Sequence, residues 1–185
     1  EGELLIKVNY SSLNYKDALS ASGSPGVTRT YPHTPGIDAV GFIEESTDAN
    51  FKEGDSVIVT GYDLGMNTSG GFGQYIRVPS SWAVMLPSGL SDRDSMCLGT
   101  AGLTAGLSIQ ALDDFNGNQG FESSSSIVTG STGGVGSIAV MLLSKLSSSV
   151  TAVTGKDSEK TLLQSLGASE VISREELAEI SRTPI

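Results

Sequence analysis

Gly130, Gly133 and Gly136 recur at three-residue intervals between a β-branched run, Ile127-Val128-Thr129, and a long apolar segment from Ile138 to Leu143. Glycine at such spacing lets a backbone turn sharply off a strand end, approach a ligand without Cβ interference, and pack a following helix close on the strand. The free N–H groups of that helix, with the positive end of its dipole, then face whatever sits over the turn. A dinucleotide pyrophosphate has the charge and size for such a seat. The spacing is G-x-x-G-x-x-G where the usual fingerprint is G-x-G-x-x-G, and a plain glycine-rich connection is the competing explanation.

One helix further on, Ser149 to Thr154 has the composition of a buried strand and ends at Thr154, Gly155 and Lys156. In a dinucleotide fold this position selects the ribose: an acid binds a 2′-hydroxyl, a cation accommodates a 2′-phosphate. Asp157 lies too late to be the strand-end acid, so the pattern favours NADPH over NADH. A solvated surface lysine is the alternative for Lys156.

A second polar cluster, Asn14-Tyr15-Lys16-Asp17, follows the strand-like residues 3–10 directly. It serves either as a helix-start capping arrangement, above all for Asp17, or as a wall of a site. Asn14 is a candidate amide donor and Tyr15 a candidate donor or proton source; both residues could equally orient a cofactor. Arg29 and Tyr31 are placed to meet an anionic substrate, although loop arginines are commonly only solvated. His33, between Pro32 and Pro35, is read as a turn residue. Tyr62 either reaches a substrate mouth or packs on the barrel, and Cys97, between Met96 and Leu98, is read as a small buried hydrophobe.

These residues need elements to hold them. Residues 3–10, 37–45, 56–59, 74–78 and 82–87 are short strands joined by glycine and proline turns, which predicts a small antiparallel barrel up to about residue 90. The stretch from Gly23 to Gly36, with three prolines and three glycines, is loop, as is the glycine-rich 61–73. Ser91 to Asp94 caps a helix running to Thr100 or beyond, a small-residue stretch containing Thr104 follows, and 113–126 is predicted as loop. A βαβ unit then fills 126–155, with a helix over 158–166 and a short strand over 168–172. The composition shift divides the chain into a barrel domain at 1–95 and a dinucleotide-binding domain at 96–185. With a strand already under way at residue 3 and only two or three parallel strands of a fold that needs about six, sequence is expected to be missing at both ends.

The formal net charge of −10, from 21 acidic and 11 basic residues, argues against nucleic acid. One cysteine excludes an internal disulfide and fits a reducing compartment. No unbroken apolar run approaches the ~20 residues of a membrane span, so a cytoplasmic protein without membrane partners is expected.

Taken in order, N-Y-K-D-A-L, Y-P-x-x-P-G-I-D-x-x-G, E-G-D-S-V-I-V, G-G-F-G-Q-Y, G-T-A-G-L-T-A and V-T-G-S-T-G-G-V-G make the chain resemble the medium-chain dehydrogenase/reductase superfamily. Within it the chain is most similar to the zinc-independent quinone oxidoreductase group, in the YhdH/YhfP branch that includes acrylyl-CoA reductase. The resemblance covers essentially the whole chain and implies an α/β architecture: a GroES-like antiparallel barrel followed by a partial Rossmann domain with a doubly wound parallel sheet. It implies NADP(H) as cofactor, with Thr104 near the nicotinamide, Gly130, Gly133, Gly134, Val135 and Gly136 at the pyrophosphate, and Thr154, Gly155 and Lys156 at the 2′-phosphate. Asn14, Tyr15 and Asp17 would face the reacting ring.

Zinc members of the superfamily carry a cysteine ligand near the block equivalent to 11–17, a His-Glu pair near 33–38 and a four-cysteine lobe. Here those blocks offer Asn14 and Asp17, then His33 to Asp38, and no lobe, so no metal is expected. Without a metal to polarise a carbonyl, the chemistry implied is hydride transfer to a small activated acceptor, an enone, quinone or acryloyl thioester. Such relatives usually form homodimers. A non-catalytic NADPH-binding redox sensor or partner protein is the second reading.

Overall fold

The computed structural model describes residues 2–180. Strand β1 (Glu3–Tyr10) turns Leu4 and Ile6 inward and leaves Glu3 and Lys7 to solvent, the period of two expected of a half-buried strand. The same alternation buries Val57 and Val59 of β3 (Ser56–Thr60) and Ile76 and Val78 of β4 (Tyr75–Pro79). With β2 (Asp38–Ser46) and β5 (Ala83–Met85) these strands form an antiparallel sheet in the order β4-β1-β2-β3-β5, curled into a half-barrel. Its core gathers Leu4, Ile6, Ile43, Val57, Val59, Leu64, Ile76 and Val78, each side chain contributing roughly 1.5–3 kcal/mol by leaving water.

Gly41 in β2 is required by a close approach. A Cβ there would stand 2.0 Å from the Lys7 carbonyl oxygen, where the β1–β2 register shifts between Val8 and Tyr10, as at a bulge. Helix α1 (Tyr15–Ala21) follows β1, and the 61–73 loop is bolted to 34–37 by four backbone bonds, from Gly61 N–H to Ile37, Gly70 to Thr34, Gly71 to Gly36 and Phe72 to Pro35.

Helix α2 (Asp92–Phe115) is interrupted at Gly99, whose φ of 48° and ψ of −151° are not helical. The predicted loop at 113–126 is therefore shorter, since α2 holds Asp113 to Phe115 and the next strand begins at Ser125. At 24 residues α2 is long and apolar enough, by length and composition alone, to cross a membrane. The core helix of a soluble protein passes the same test, and small and hydroxyl residues break the apolar run here.

The chain divides into two compact units, Glu1–Thr100 and Ala101–Ile185. In the second, β6 (Ser125–Thr129), β7 (Ser149–Val153) and β8 (Glu170–Ile172) form a parallel sheet in the order β6-β7-β8. Helices α3 (Gly134–Leu146) and α4 (Lys160–Ser165) provide the connections, and the core joins Ile109, Phe121, Val128, Val140, Leu143, Val150 and Leu163. A final helix, α5 (Arg174–Ile180), was not expected. Its signal is the capping box Ser173-x-x-Glu176: the Ser173 hydroxyl accepts the Glu176 N–H at 3.1 Å and the Glu176 carboxylate accepts the Ser173 N–H at 2.6 Å. The Ser173 N–H, and the Ser173 hydroxyl beside it, hold the Glu176 carboxyl below the usual carboxylate range.

Candidate functional site

All three parallel strands end on the same edge of their sheet, and the residues singled out for phosphate chemistry lie in the turns that leave it. Gly130 takes φ 62°, a left-handed turn off β6, and its carbonyl accepts the Gly133 N–H at 2.9 Å. Gly133 is the N-cap of α3 and lends its own carbonyl to the Ser137 N–H at 2.9 Å. The N–H groups of Gly134, Val135 and Gly136, at the first three helical positions, have no carbonyl four residues back to bind. A Cβ on Gly136 would stand 2.3 Å from the Gly130 carbonyl oxygen, so only glycine allows the helix this close to the turn. Gly130, Gly133, Gly134, Val135 and Gly136 line one groove of about 530 Å³ together with Ala105, Ser108 and Thr129. Thr104 is exposed on α2, one position before the groove-lining Ala105.

Ser131, which the sequence reading passed over, fixes the shape of this turn. It is fully buried, donates its hydroxyl to the Val128 carbonyl at 2.7 Å and accepts the Val153 N–H at 3.0 Å, tying the loop to the end of β7. There Thr154 is buried and its hydroxyl accepts the Lys156 N–H at 3.1 Å, so the chain bends immediately and leaves Gly155 and Lys156 exposed. A second cation joins them: the Arg174 Nε lies 3.7 Å from where a Cβ on Gly155 would stand. Among the described residues neither Lys156 nor Arg174 has an ion-pair partner. Two free cations and a buried hydroxyl at adjacent strand ends suit a phosphate dianion. The signal for Arg174 was its place straight after β8, one strand beyond the position the sequence reading considered.

The polar cluster of the first unit is built around α1. Asn14 is its N-cap. Asp17, 2% exposed, accepts the Asn14 N–H at 2.8 Å, the Gly36 N–H at 3.1 Å and the Ile37 N–H at 2.9 Å. That is the capping alternative for Asp17, extended to hold the turn before β2. The Asn14 carboxamide donates to Ser12 Oγ at 3.2 Å and to Asp38 at 2.8 Å. Tyr15 stands beside it, 81% exposed.

The remaining candidates separate by what they touch. Tyr31 donates its hydroxyl to the Ser20 carbonyl at 2.6 Å and meets the His33 ring edge-on, while His33 Nε2 lies 2.7 Å from the Gly65 carbonyl. Tyr62 is stacked on Trp82 with ring centroids 5.2 Å apart, the packed alternative. Arg29 is exposed, with its backbone N–H on the Asn67 side chain. Cys97 corrects its expectation: it is exposed, because the first segment of α2 turns Ser95 and Met96 inward and the next two positions outward. No group of three or more His, Cys, Asp or Glu gathers among the described residues.

Residues 1–88 match the alcohol dehydrogenase GroES-like domain family. A half-barrel of that type followed by a parallel βαβ unit with a glycine turn is the architecture of the medium-chain dehydrogenases and reductases, and the chain belongs to that superfamily. Its place is in the quinone oxidoreductase branch. It is 42% identical over 184 residues to acrylyl-CoA reductase AcuI of Ruegeria pomeroyi, covering 100% of this chain and 55% of that protein. It is 48% identical over 174 residues to the putative quinone oxidoreductase YhfP of Bacillus subtilis, covering 94% and 52%. The crystal structure of the YhdH oxidoreductase of Salmonella enterica in complex with NADP superposes with a TM-score of 0.88 at 44% identity, covering 94% of this chain and 53% of that one. The chain thus spans about half the length of the curated relatives it matches.

Proposed function

We propose that the protein is an NADPH-dependent reductase that delivers a hydride to an activated alkene or a quinone, without zinc. The observation that carries this is the joint occurrence, on one sheet edge, of three helix-start N–H groups over a glycine turn and of Thr154, Lys156 and Arg174 at the next strand ends. The first set suits a pyrophosphate and the second a ribose 2′-phosphate. The relatives support the same reading, since the Salmonella enterica protein is described in complex with NADP and the Ruegeria pomeroyi protein is named an acrylyl-CoA reductase.

NADPH, when bound, supplies a hydride, which in conjugate reduction goes to the β-carbon of an unsaturated carbonyl compound while a proton completes the α-carbon. In this scheme Gly134, Val135 and Gly136 hold the pyrophosphate through their N–H groups, and Lys156 and Arg174 hold the 2′-phosphate with charge-assisted bonds. Thr104 serves the nicotinamide end. Tyr15, with an exposed hydroxyl, donates to the oxygen on which charge develops. Asn14 and Asp17 fix the helix start that presents it. We assign the protein to the cytoplasm, on its single cysteine, and infer a homodimer, as in the resemblance, with no nucleic-acid or membrane partner.

Oxidation of NADPH followed at 340 nm with an enone, a quinone and an acryloyl thioester tests the reading. Turnover with one of these acceptors, at a kcat/KM higher with NADPH than with NADH, is expected. Saturable NADPH binding without turnover of any of the three would favour a redox-sensing protein instead.

A further inference from the structure

Asp38, the first residue of β2, is completely buried, and nothing above uses its charge. The residues beside it in sequence, Ile37, Ala39 and Val40, are buried and apolar, whereas its own side chain meets polar groups of Ser12, Asn14 and Thr100. Burying a carboxylate is costly unless hydrogen bonds compensate. Here they come from three residues on two separate segments. Oδ2 accepts from Ser12 Oγ, from the Asn14 carboxamide at 2.8 Å and from the Thr100 N–H at 2.9 Å. Oδ1 accepts the Thr100 hydroxyl at 2.7 Å. Among the described residues no cation pairs with it.

Two features indicate that the fold is arranged to admit this carboxylate. Gly99 has φ 48°, and a Cβ on it would stand 2.6 Å from Asp38 Oδ2 and 2.7 Å from Ser12 Oγ, so the break in α2 makes room for the group. Thr100 then carries the first N–H after the break, and Asp38 takes it as a capping residue would, from outside the helix. The second feature is Asn14. Its side-chain nitrogen donates to Asp38 Oδ2 at 2.8 Å, with Ser12 Oγ on the same side at 3.2 Å. Its orientation, and with it the N-cap of the helix that begins with Tyr15, is therefore set by Asp38.

We propose that Asp38 is a positioning residue for the reaction. Through Asn14 it fixes the start of α1 and hence Tyr15, and through Thr100 it fixes the restart of α2. This rests on the reading above that Asn14 and Tyr15 serve the substrate. Asp38 makes no contact with substrate in this scheme, so its removal is felt in kcat and not in NADPH affinity.

The test is a double-mutant cycle in the full-length protein, with NADPH and whichever of the enone, quinone or acryloyl thioester it turns over. The variants are Asp38→Ala, Asp38→Asn, Asn14→Ala, Tyr15→Phe and the Asp38→Ala/Asn14→Ala pair. Asp38→Ala is expected to lower kcat about 100-fold, the scale of a misplaced catalytic group, with the NADPH Kd within about threefold. Asp38→Asn is expected to recover roughly tenfold of that loss, since its carbonyl can still accept from Asn14 and the Thr100 N–H while its amide donates to the Thr100 hydroxyl. The double variant should be no slower than the slower single one, the non-additivity of residues that act through one another. Multiplying effects, or a kcat per folded molecule unchanged in the Asp38 variants while Asn14→Ala is slow, would overturn the proposal. Unchanged kcat in both Asn14→Ala and Tyr15→Phe would instead overturn the reading it rests on. If Asp38→Ala does not fold, Asp38→Asn and Ser12→Ala carry the test: reduced kcat at unchanged NADPH affinity in both supports it, and unchanged kcat in both overturns it.

Discussion

At the scale of single residues, the proposed choice of NADPH rests on two cations. Lys156 and Arg174 are exposed cations at adjacent strand ends, without an ion-pair partner among the described residues, and each charge-assisted bond to a phosphate contributes roughly 1.5–3 kcal/mol. Lys156→Ala is therefore expected to raise the Kd for NADPH and for 2′,5′-ADP by about tenfold or more and to leave NADH and 5′-AMP nearly unchanged. Isothermal titration with the four ligands checks it, and equal losses for all four would contradict it. Asp48 offers a separate residue-scale prediction in pH. The Ser80 hydroxyl, at 2.6 Å, and the Asn50 N–H hold its carboxyl below the usual carboxylate range. A depressed folded-state value stabilises the fold above the ordinary pKa of about 3.9, and this is lost as pH falls through the lowered one. Ser80→Ala should thus lower the melting temperature at pH 6 and progressively less toward pH 3. At this scale the sequence was only partly legible. Glycine spacing announced the turn and a lysine marked the end of β7; Arg174 just after β8 and Asp38 in the P-G-I-D block were equally visible, but what they and Ser131 do was not, because each acts on segments distant in the chain.

At the scale of elements, close approach and capping dominate. A Cβ on Gly136 would overlap the Gly130 carbonyl at 2.3 Å, and one on Gly41 the Lys7 carbonyl at 2.0 Å. Either glycine replaced by alanine forces backbone apart and should destabilise its unit by roughly 3 kcal/mol, read from urea melts. Gly136→Ala should in addition weaken NADPH, whereas Gly41→Ala should not. Asp17 accepts three backbone N–H groups while 2% exposed. Asp17→Ala leaves them without a partner and should cost about 3 kcal/mol or more. The strands and α3 were legible because their apolar periods are undisturbed. Helix α2 was legible only at its capped start: Gly99 interrupts the pattern, and the bond that restarts the helix comes from Asp38, sixty-two residues earlier. Helix α5 carried its capping box in plain view, but seven residues with no buried position show no amphipathic stripe.

For the whole molecule, the two units differ in how complete their cores are. Residues 1–100 surround one apolar cluster with five antiparallel strands. The three-stranded sheet of the second unit leaves β6 at an edge, with Ile127, Leu107, Leu112 and Phe115 exposed. A fragment of residues 1–100 is expected to melt in one cooperative transition, and a fragment of 101–185 to bind a hydrophobic dye and melt without cooperativity. Circular dichroism and dye fluorescence would show a contrary result as two equally sharp transitions.

The central claim is that the turn from Gly130 to Gly136 seats the pyrophosphate of NADPH, and a crystal structure of the full-length protein with NADPH tests it most directly. The expected result places pyrophosphate oxygens about 2.7–3.2 Å from the N–H groups of Gly134 and Val135, with the 2′-phosphate between Lys156 and Arg174. A pyrophosphate bound away from this turn, or no cofactor density at saturating NADPH, would contradict it.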